Sequence, residues 1–341
     1  MRFLLDREQR EFARTLNSLL GAAGTPAAVR AWAAGDPGPG RALWSKLADT
    51  GVFALAVPER HGGAGPHPVE LAAAFVELGR HAVPGPLVET VAAAALLSEA
   101  DGPGRAASAT GDPLLGDLAA ALLPRIAAGC SLVSLCLLSA EQPYALDADA
   151  ADAVLVVEGD ALRKAESVGP VQRSADPARR LARPGPGPVL ARGPRVRAAA
   201  ARAAEVAALA TAAQALGLGR ALLDATVGYV RDRTQFGVPV GSFQAVKHRL
   251  ADTLLGLEFA EPLVYAAALA LARGGADGRG VPAAKVAAGE AAYAAARTAL
   301  QLHGALGYTE EPDLSLWIRK ARALRDAWGT PAAHRARVLA P

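Results

Sequence analysis

Apolar residues recur at helical spacing through residues 6–20, where Phe12, Leu16, Leu19 and Leu20 fall on one side and Asp6 and Glu8 stand in the first turn. Acidic residues there suit the positive end of a helix dipole, so the pattern predicts an amphipathic opening helix. A second helix carries Leu43, Trp44 and Leu47 and stops at Gly51; beyond it, Pro58 and the glycines of residues 62–65 force a loop. Further helical runs are predicted over 68–81, 86–100 and 114–128. After Cys130 the period changes. Short β-favouring runs at 131–138, 153–157, 168–172 and 189–191 are separated by Gly, Pro and Asp. The stretch Pro184-Gly185-Pro186-Gly187-Pro188 cannot be helical and reads as a turn or surface loop. From Ala198 onward long helical runs return, at 198–232, 243–273, 281–303 and 313–327, lengths that suit an antiparallel four-helix bundle. The expected fold is mainly α with a small β-domain, divided at 1–128, 129–196 and 197–341. No repeat of 20 to 50 residues is visible.

Composition narrows the partners. Of 341 residues, 52% are hydrophobic and 20% charged, enough for a large core and too little charge for a disordered chain. The net charge of +3 is a thin excess even with a pI near 9.0, so no nucleic-acid partner is expected. Aromatic residues make up 5%, and the long Ala, Leu and Arg runs exclude an all-β fold. Cys130 and Cys136 lack zinc or redox spacing and are expected as two buried thiols in a reducing compartment. Charge enters the N-terminus before a secretory apolar core forms. The longest uncharged run, 126–140, falls short of the roughly 18 to 20 residues that cross a bilayer, so a cytoplasmic protein without a membrane span is expected.

Candidate chemistry concentrates in residues 231–244, between two long helices. Arg233, Gln235, Phe236, Gly237, Phe243 and Gln244 combine a guanidinium, two amides, a close-approach glycine and two aromatic rings. A diphosphate needs a fork of donors, a flavin or adenine needs an apolar face, and amides read ring edges or hydroxyls. An interhelical turn with a helix-capping Arg is the alternative reading. His61, His67, His81, His248, His303 and His334 are scattered without acidic partners at ligand spacing, so no metal site is expected. Gly217-Leu218-Gly219 imitates part of a dinucleotide fingerprint, but no strand precedes it, and it is expected to serve helix packing.

The Arg233-Thr234-Gln235-Phe236-Gly237 loop followed by Phe243-Gln244 resembles the acyl-CoA dehydrogenase family. The likeness extends to Leu43-Trp44 through Gly51, to Val57-Pro58-Glu59-Arg60-His61-Gly62-Gly63-Ala64-Gly65, and to the turn from Gln301 through Thr309. The resemblance implies an N-terminal helical domain, a middle β-barrel-like domain and a C-terminal four-helix bundle. It further implies a tetramer holding FAD non-covalently at subunit contacts. Arg233, Gln235, Phe236 and Gly237, with Phe243 and Gln244 beside them, would then meet the diphosphate and adenine end. The turn of Gln301, Gly304 and Ala305 would meet the ADP portion of a shared FAD, Ala305 replacing a usual second glycine, and Thr330 is a further cofactor candidate.

Departures from the family pattern are as informative. The family's Thr-Glu-Pro segment corresponds to Leu138-Ser139-Ala140-Glu141-Gln142-Pro143, no Gly-Ser-Asp follows, and the β segment is short. The family's catalytic Glu commonly precedes Gly-Thr; before Gly329-Thr330 stands Trp328, which accepts no proton. The second family location falls on Ala207, also without a carboxylate. Glu205 and Asp326 are each two residues away and point elsewhere on a helix, and Glu310 and Glu311 are expected to begin the next helix at its dipole. A heteromeric dehydrogenase resolves the conflict: a Glu-bearing partner chain in a heterotetramer would supply the base, with an acyl-CoA or other acyl thioester as substrate and an electron-transfer flavoprotein as acceptor. A flavin-dependent oxygenase, a non-catalytic assembly subunit and a homomeric enzyme with an unrecognised base remain alternatives.

Overall fold

A computed structural model describes residues 5–101, 113–139, 142–274 and 278–340. Helices α1 (Arg7–Ala22), α2 (Thr25–Ala33), α3 (Gly38–Ala48), α4 (Pro68–Arg80), α5 (Leu87–Asp101) and α6 (Pro113–Ala127) come first. Strands β1 (Val133–Leu137), β2 (Ala145–Leu146), β3 (Ala153–Glu158), β4 (Ala161–Lys164), β5 (Leu181–Ala182) and β6 (Val189–Arg192) follow. The chain continues with α7 (Pro194–Asp232), β7 (Thr234–Gln235), β8 (Val238–Pro239), α8 (Gln244–Ala272), α9 (Gly280–His303), α10 (Leu314–Asp326) and α11 (Pro331–Leu339). The expected class, mainly α with a small sheet region, is what the chain adopts. Helix α1 opens as predicted: Asp6 accepts from the Gln9 backbone N–H while the Gln9 side chain accepts from Asp6, a reciprocal capping box.

Two compact units divide the chain. One comprises Met1–Val29, Ala72–Val83 and Ala208–Pro341, the other Arg30–Leu71 and Pro84–Ala207. In the first, the core is built largely of small side chains: Ala82, Leu218, Leu222, Ala295, Ala296, Ala299, Ala321 and Leu324. Small residues let helix backbones approach. A methyl group on Gly79 would lie 1.9 Å from the carbonyl oxygen of Gln214, and one on Gly217 would lie 1.7 Å from that of Val76. Gly219 is similarly crowded, 2.6 Å from Leu257 Cδ2, so the Gly217-Leu218-Gly219 sequence serves packing. The Trp317 indole donates to the Arg80 carbonyl at 2.8 Å at the end of α4.

The second unit holds a four-stranded sheet of order β1-β3-β4-β6, with β1 parallel to β3 and the other pairs antiparallel, and a separate β2–β5 pair. Residues 168–172, predicted as a strand, form only isolated bridges, Val168 with Pro184 and Gln172 with Leu181. The proline-glycine stretch opposite is extended, its Gly185 N–H bonded to the Ser167 carbonyl and its Pro186 carbonyl to Glu166 N–H. Trp44 stacks on Phe53 at 4.2 Å and donates to the Gly129 carbonyl. Asp147 is buried in this unit. Its carboxylate accepts from Trp32 Nε1 and Arg180 N–H, each at 3.1 Å.

Two expectations are corrected. Cys136 is buried, but Cys130 is exposed at the end of a helix-to-strand connection; both are free thiols. Glu310 and Glu311 precede α10 rather than beginning it, and Glu310 reaches forward to Arg319. Two helices, α7 and α8, are long and apolar enough to cross a membrane by length and composition, because sparse charges interrupt uncharged runs without lowering mean hydropathy below 1.5. The apolar window of α7 is 89% buried within the protein, as a core helix requires; that of α8 is 39% buried.

Burial pushes the Asp147 carboxyl up to about 7, against the Trp32 and Arg180 hydrogen bonds and the Arg179 charge, with Glu89 adding to the rise. The folded state therefore keeps this proton to higher pH than the unfolded chain, whose aspartates titrate near about 3.9. Between about pH 4 and about 7 stability should fall as pH rises, by at most about 1.4 kcal/mol per pH unit, and level off above. In Asp147→Asn, which keeps an acceptor oxygen, that fall should flatten in urea unfolding curves recorded across the window.

Candidate functional site

The Arg233 segment is a two-residue β-hairpin. Thr234 pairs with Pro239 and Gln235 with Val238, leaving Phe236 and Gly237 at the tip. Both tip residues have positive φ, 54° and 79°, the requirement of a type I′ turn, in which a glycine at the second position is favoured. A bulky phenylalanine in the left-handed region is strained, and this one is also 92% exposed. Its ring meets that of Phe243 edge to face at 6.3 Å. The base of the hairpin is tied to α7, since Arg233 N–H donates to the Tyr229 carbonyl at 2.9 Å and Val240 N–H to the Arg233 carbonyl at 2.7 Å.

The donors of this hairpin face outward. The Arg233 side chain is exposed and engages no carboxylate among the described residues. Gln244 and Gln301 are also exposed, and among the described residues Gln235 donates to its neighbour Thr234, at 2.8 Å. An uncommitted guanidinium, nearby amides and two aromatic rings fit the diphosphate and ring systems of FAD. They present one open wall for such a group.

The Gln301 turn lies close by. Helix α9 ends at His303, and Gly304 breaks it with φ 59° while its N–H returns to the Gln301 carbonyl. The His303 ring is stacked on Tyr229, centroids 4.1 Å apart and planes 20° from parallel, so the end of α7 and the end of α9 meet. Ala305 is exposed, and the following Gly307 is packed against Leu300, whose oxygen would be 2.7 Å from an added methyl. One turn beyond Gln244 and one turn before Gln301, a cavity of about 410 Å³ opens between α8 and α9, lined by His248, Arg249, Asp252 and the hydrogen-bonded pair Thr253 and Thr298. The Tyr229–His303 stack and this cavity join residues remote in sequence, and only the aromatic character of Tyr229 at one turn from Arg233 hinted at them.

Thr330 is placed elsewhere. It caps α11, its Oγ1 accepting from Ala333 N–H at 3.2 Å. The preceding turn carries Trp328 and Gly329 at φ 55° and 113°, and His334 Nε2 donates to the Trp328 carbonyl at 3.0 Å. Lys285, buried in α9, donates its ammonium to the carbonyls of Leu324 and Arg325 at 3.1 and 2.9 Å, complementing the negative end of α10. Lys285 and Gln301 are about 24 Å apart along α9 at 1.5 Å per residue. The Trp328 turn is thus at the opposite end of that helix from the hairpin.

No side chain at the expected base positions accepts a proton. Trp328 is half-buried and Ala207 fully buried. Asp326 is held by Arg322 and Arg325. In the second unit a cavity of about 440 Å³ is lined by Leu138, Ser139 and Pro143, from the segment that departs from Thr-Glu-Pro, and by Arg183, whose guanidinium lies over the Tyr144 ring at 5.2 Å. Ala140 and Glu141 of that segment lie outside the described residues.

Residues 6–100 match the acyl-CoA dehydrogenase N-terminal domain and residues 197–340 the acyl-CoA dehydrogenase C-terminal domain. Acyl-CoA dehydrogenase IpdE2 of Mycobacterium tuberculosis is 34% identical over 328 residues, covering 92% of this chain and 91% of its own. The protein of the same name in Mycolicibacterium smegmatis is 32% identical over 334 residues, covering 95% and 96%. Among solved structures, a Tcur3481-Tcur3483 steroid ACAD variant superposes with a TM-score of 0.81 at 24% identity, covering 97% of this chain and 96% of that one. The ChsE4-ChsE5 complex of Mycobacterium tuberculosis does so at 0.78 and 23%, covering all of both chains. These structures share the fold, and the sequence relatives extend the likeness over nearly the full length of both chains; the chain belongs to the acyl-CoA dehydrogenase family.

Proposed function

We propose that this chain is the flavin-binding subunit of a heteromeric, cytoplasmic acyl-CoA dehydrogenase. It joins a Glu-bearing partner chain in a heterotetramer that introduces an α,β double bond into an acyl-CoA or other acyl thioester. An electron-transfer flavoprotein takes up the electrons. The observation that carries this reading is the combination of a prepared hairpin, with Arg233 uncommitted and Phe236 exposed, and a base position occupied by Trp328. Two solved structures of this fold, the Tcur3481-Tcur3483 protein and the ChsE4-ChsE5 complex, carry two chain names each, in keeping with a two-chain assembly.

The chain's own residues would act by binding and exclusion. Arg233 neutralises the diphosphate, Gln235, Gln244 and Gln301 donate to its polar edges, and Phe236 and Phe243 cover the adenine side. Gly237, Gly304 and Ala305 admit the ligand close to the backbone, whereas Thr330 caps α11 away from the hairpin. Bound FAD supplies the acceptor for the hydride from the thioester β-carbon. Removing the α-proton demands a carboxylate, which Trp328 is not, so the base enters from the partner. The bulk of Trp328 fills the place of the α-carbon beside this chain's own Gly329.

The direct test is co-expression with the Glu-bearing acyl-CoA dehydrogenase-like chain encoded nearest to it. The two should copurify, carry flavin and reduce an electron-transfer flavoprotein with acyl thioester. A flavin-loaded homotetramer of this chain with full turnover would overturn the heteromer, and oxygen consumption without the partner would favour an oxygenase. Arg233→Ala should lower flavin content of the complex by about tenfold or more, the loss of a charge-assisted contact worth about 1.5 to 3 kcal/mol, read by absorbance per mole of protein. Trp328→Phe should leave turnover within a few fold, whereas replacing the partner's Glu should cost at least about 10²-fold. A large loss in Trp328→Phe with flavin and assembly intact would give Trp328 a catalytic part.

A further inference from the structure

The Tyr229 and His303 rings are the contact where the end of α7 meets the end of α9. Each residue is tied to its own helix end. The Tyr229 carbonyl receives the Arg233 N–H at 2.9 Å, so the tyrosine is locked to the first residue of the hairpin. His303 Nδ1 lies 2.8 Å from the Ala299 carbonyl. A carbonyl only accepts, so the proton is on Nδ1 and the ring rotation is set by α9 itself. His303 is 7% exposed, which keeps water from loosening the stack.

The two rings therefore connect two rigid pieces. On one side are Arg233 and the strained tip at Phe236; on the other are Gln301 and the Gly304 break. Arg233 and Gln301 are both exposed and belong to different helix ends, and a single extended ligand reaches both only if their separation is kept.

We infer that Tyr229 and His303 form a positioning pair that fixes the Arg233 hairpin against the Gln301 turn and so sets the affinity for FAD. The inference rests on the flavin reading above. A pair that merely filled space would tolerate an apolar side chain of similar burial, whereas a flat-on-flat contact that sets a spacing needs a ring at both positions.

The test measures FAD affinity by flavin fluorescence titration of the full chain in its flavin-binding assembly, together with melting of the flavin-free protein. Tyr229→Leu and His303→Leu should each weaken FAD about tenfold with melting little changed, and the double variant should be no weaker than about either single one, because the pair acts as a unit. Tyr229→Phe, which keeps the ring and loses only the hydroxyl, should restore affinity to within about twofold. His303→Leu addresses the same contact from the other side should Tyr229→Leu fail to fold. Wild-type affinity in both Leu variants while Arg233→Ala is weakened would overturn the positioning pair and leave the flavin site standing. Wild-type affinity in Arg233→Ala would overturn both. Equal weakening in Tyr229→Phe and Tyr229→Leu would show that the hydroxyl, not the stack, is what matters, and would overturn the inference as well.

Discussion

Where α4 passes α7, backbone lies against backbone. Gly79 faces the Gln214 carbonyl and Gly217 faces the Val76 carbonyl at separations that admit no methyl group. Two glycines and an alanine-rich lining allow the approach, and close packing leaves α7 little freedom to slide. The rest of this unit takes its bearings from that contact. Further along α7, Arg220 reaches Glu258 and Glu261 of α8, and at its end Tyr229 meets α9. A helix fixed at its middle in this way delivers its last turn, and the hairpin that follows, to a defined place.

The same unit shows how the turn before α11 is held in place. Trp328 and Gly329 keep left-handed backbone, His334 holds the Trp328 carbonyl, Thr330 caps α11 and Lys285 closes the end of α10. The His334, Thr330 and Lys285 hydrogen bonds are all made to backbone groups.

Long elements were legible in the sequence because they repeat their signal. Helices α7 through α10 each offer several turns of evidence, and the predicted runs differ from the observed ends by a few residues. The Arg233 loop and the Gln301 turn stood out for another reason, the resemblance of their residues to a family pattern, since composition alone left an ordinary interhelical turn as the alternative. The short elements were not. Strands β2 and β5 are two residues each and exist only by pairing across a long stretch of chain, and α2 is buried through Trp32 and Val29 rather than marked by charge periodicity. The hairpin tip was hidden because nothing in the sequence announces a phenylalanine with positive φ. The Tyr229–His303 stack was hidden because the two residues come from different helices. Exposure of Cys130 beside a run of buried residues follows from a helix end that composition does not mark.

The strained tip at Phe236 has a thermodynamic consequence. A loop that orders only around its ligand charges the cost of freezing its dihedrals to every binding event. In this hairpin the cost is met during folding: the ladder at Thr234 and Gln235, the Val240 bond to Arg233 and the left-handed backbone at Phe236 and Gly237 are already in place. Binding to such a site leaves little conformational entropy to lose in the loop. Its strength should therefore be governed by how tightly complementary the second wall is, with the hairpin serving as a fixed template on which that wall closes.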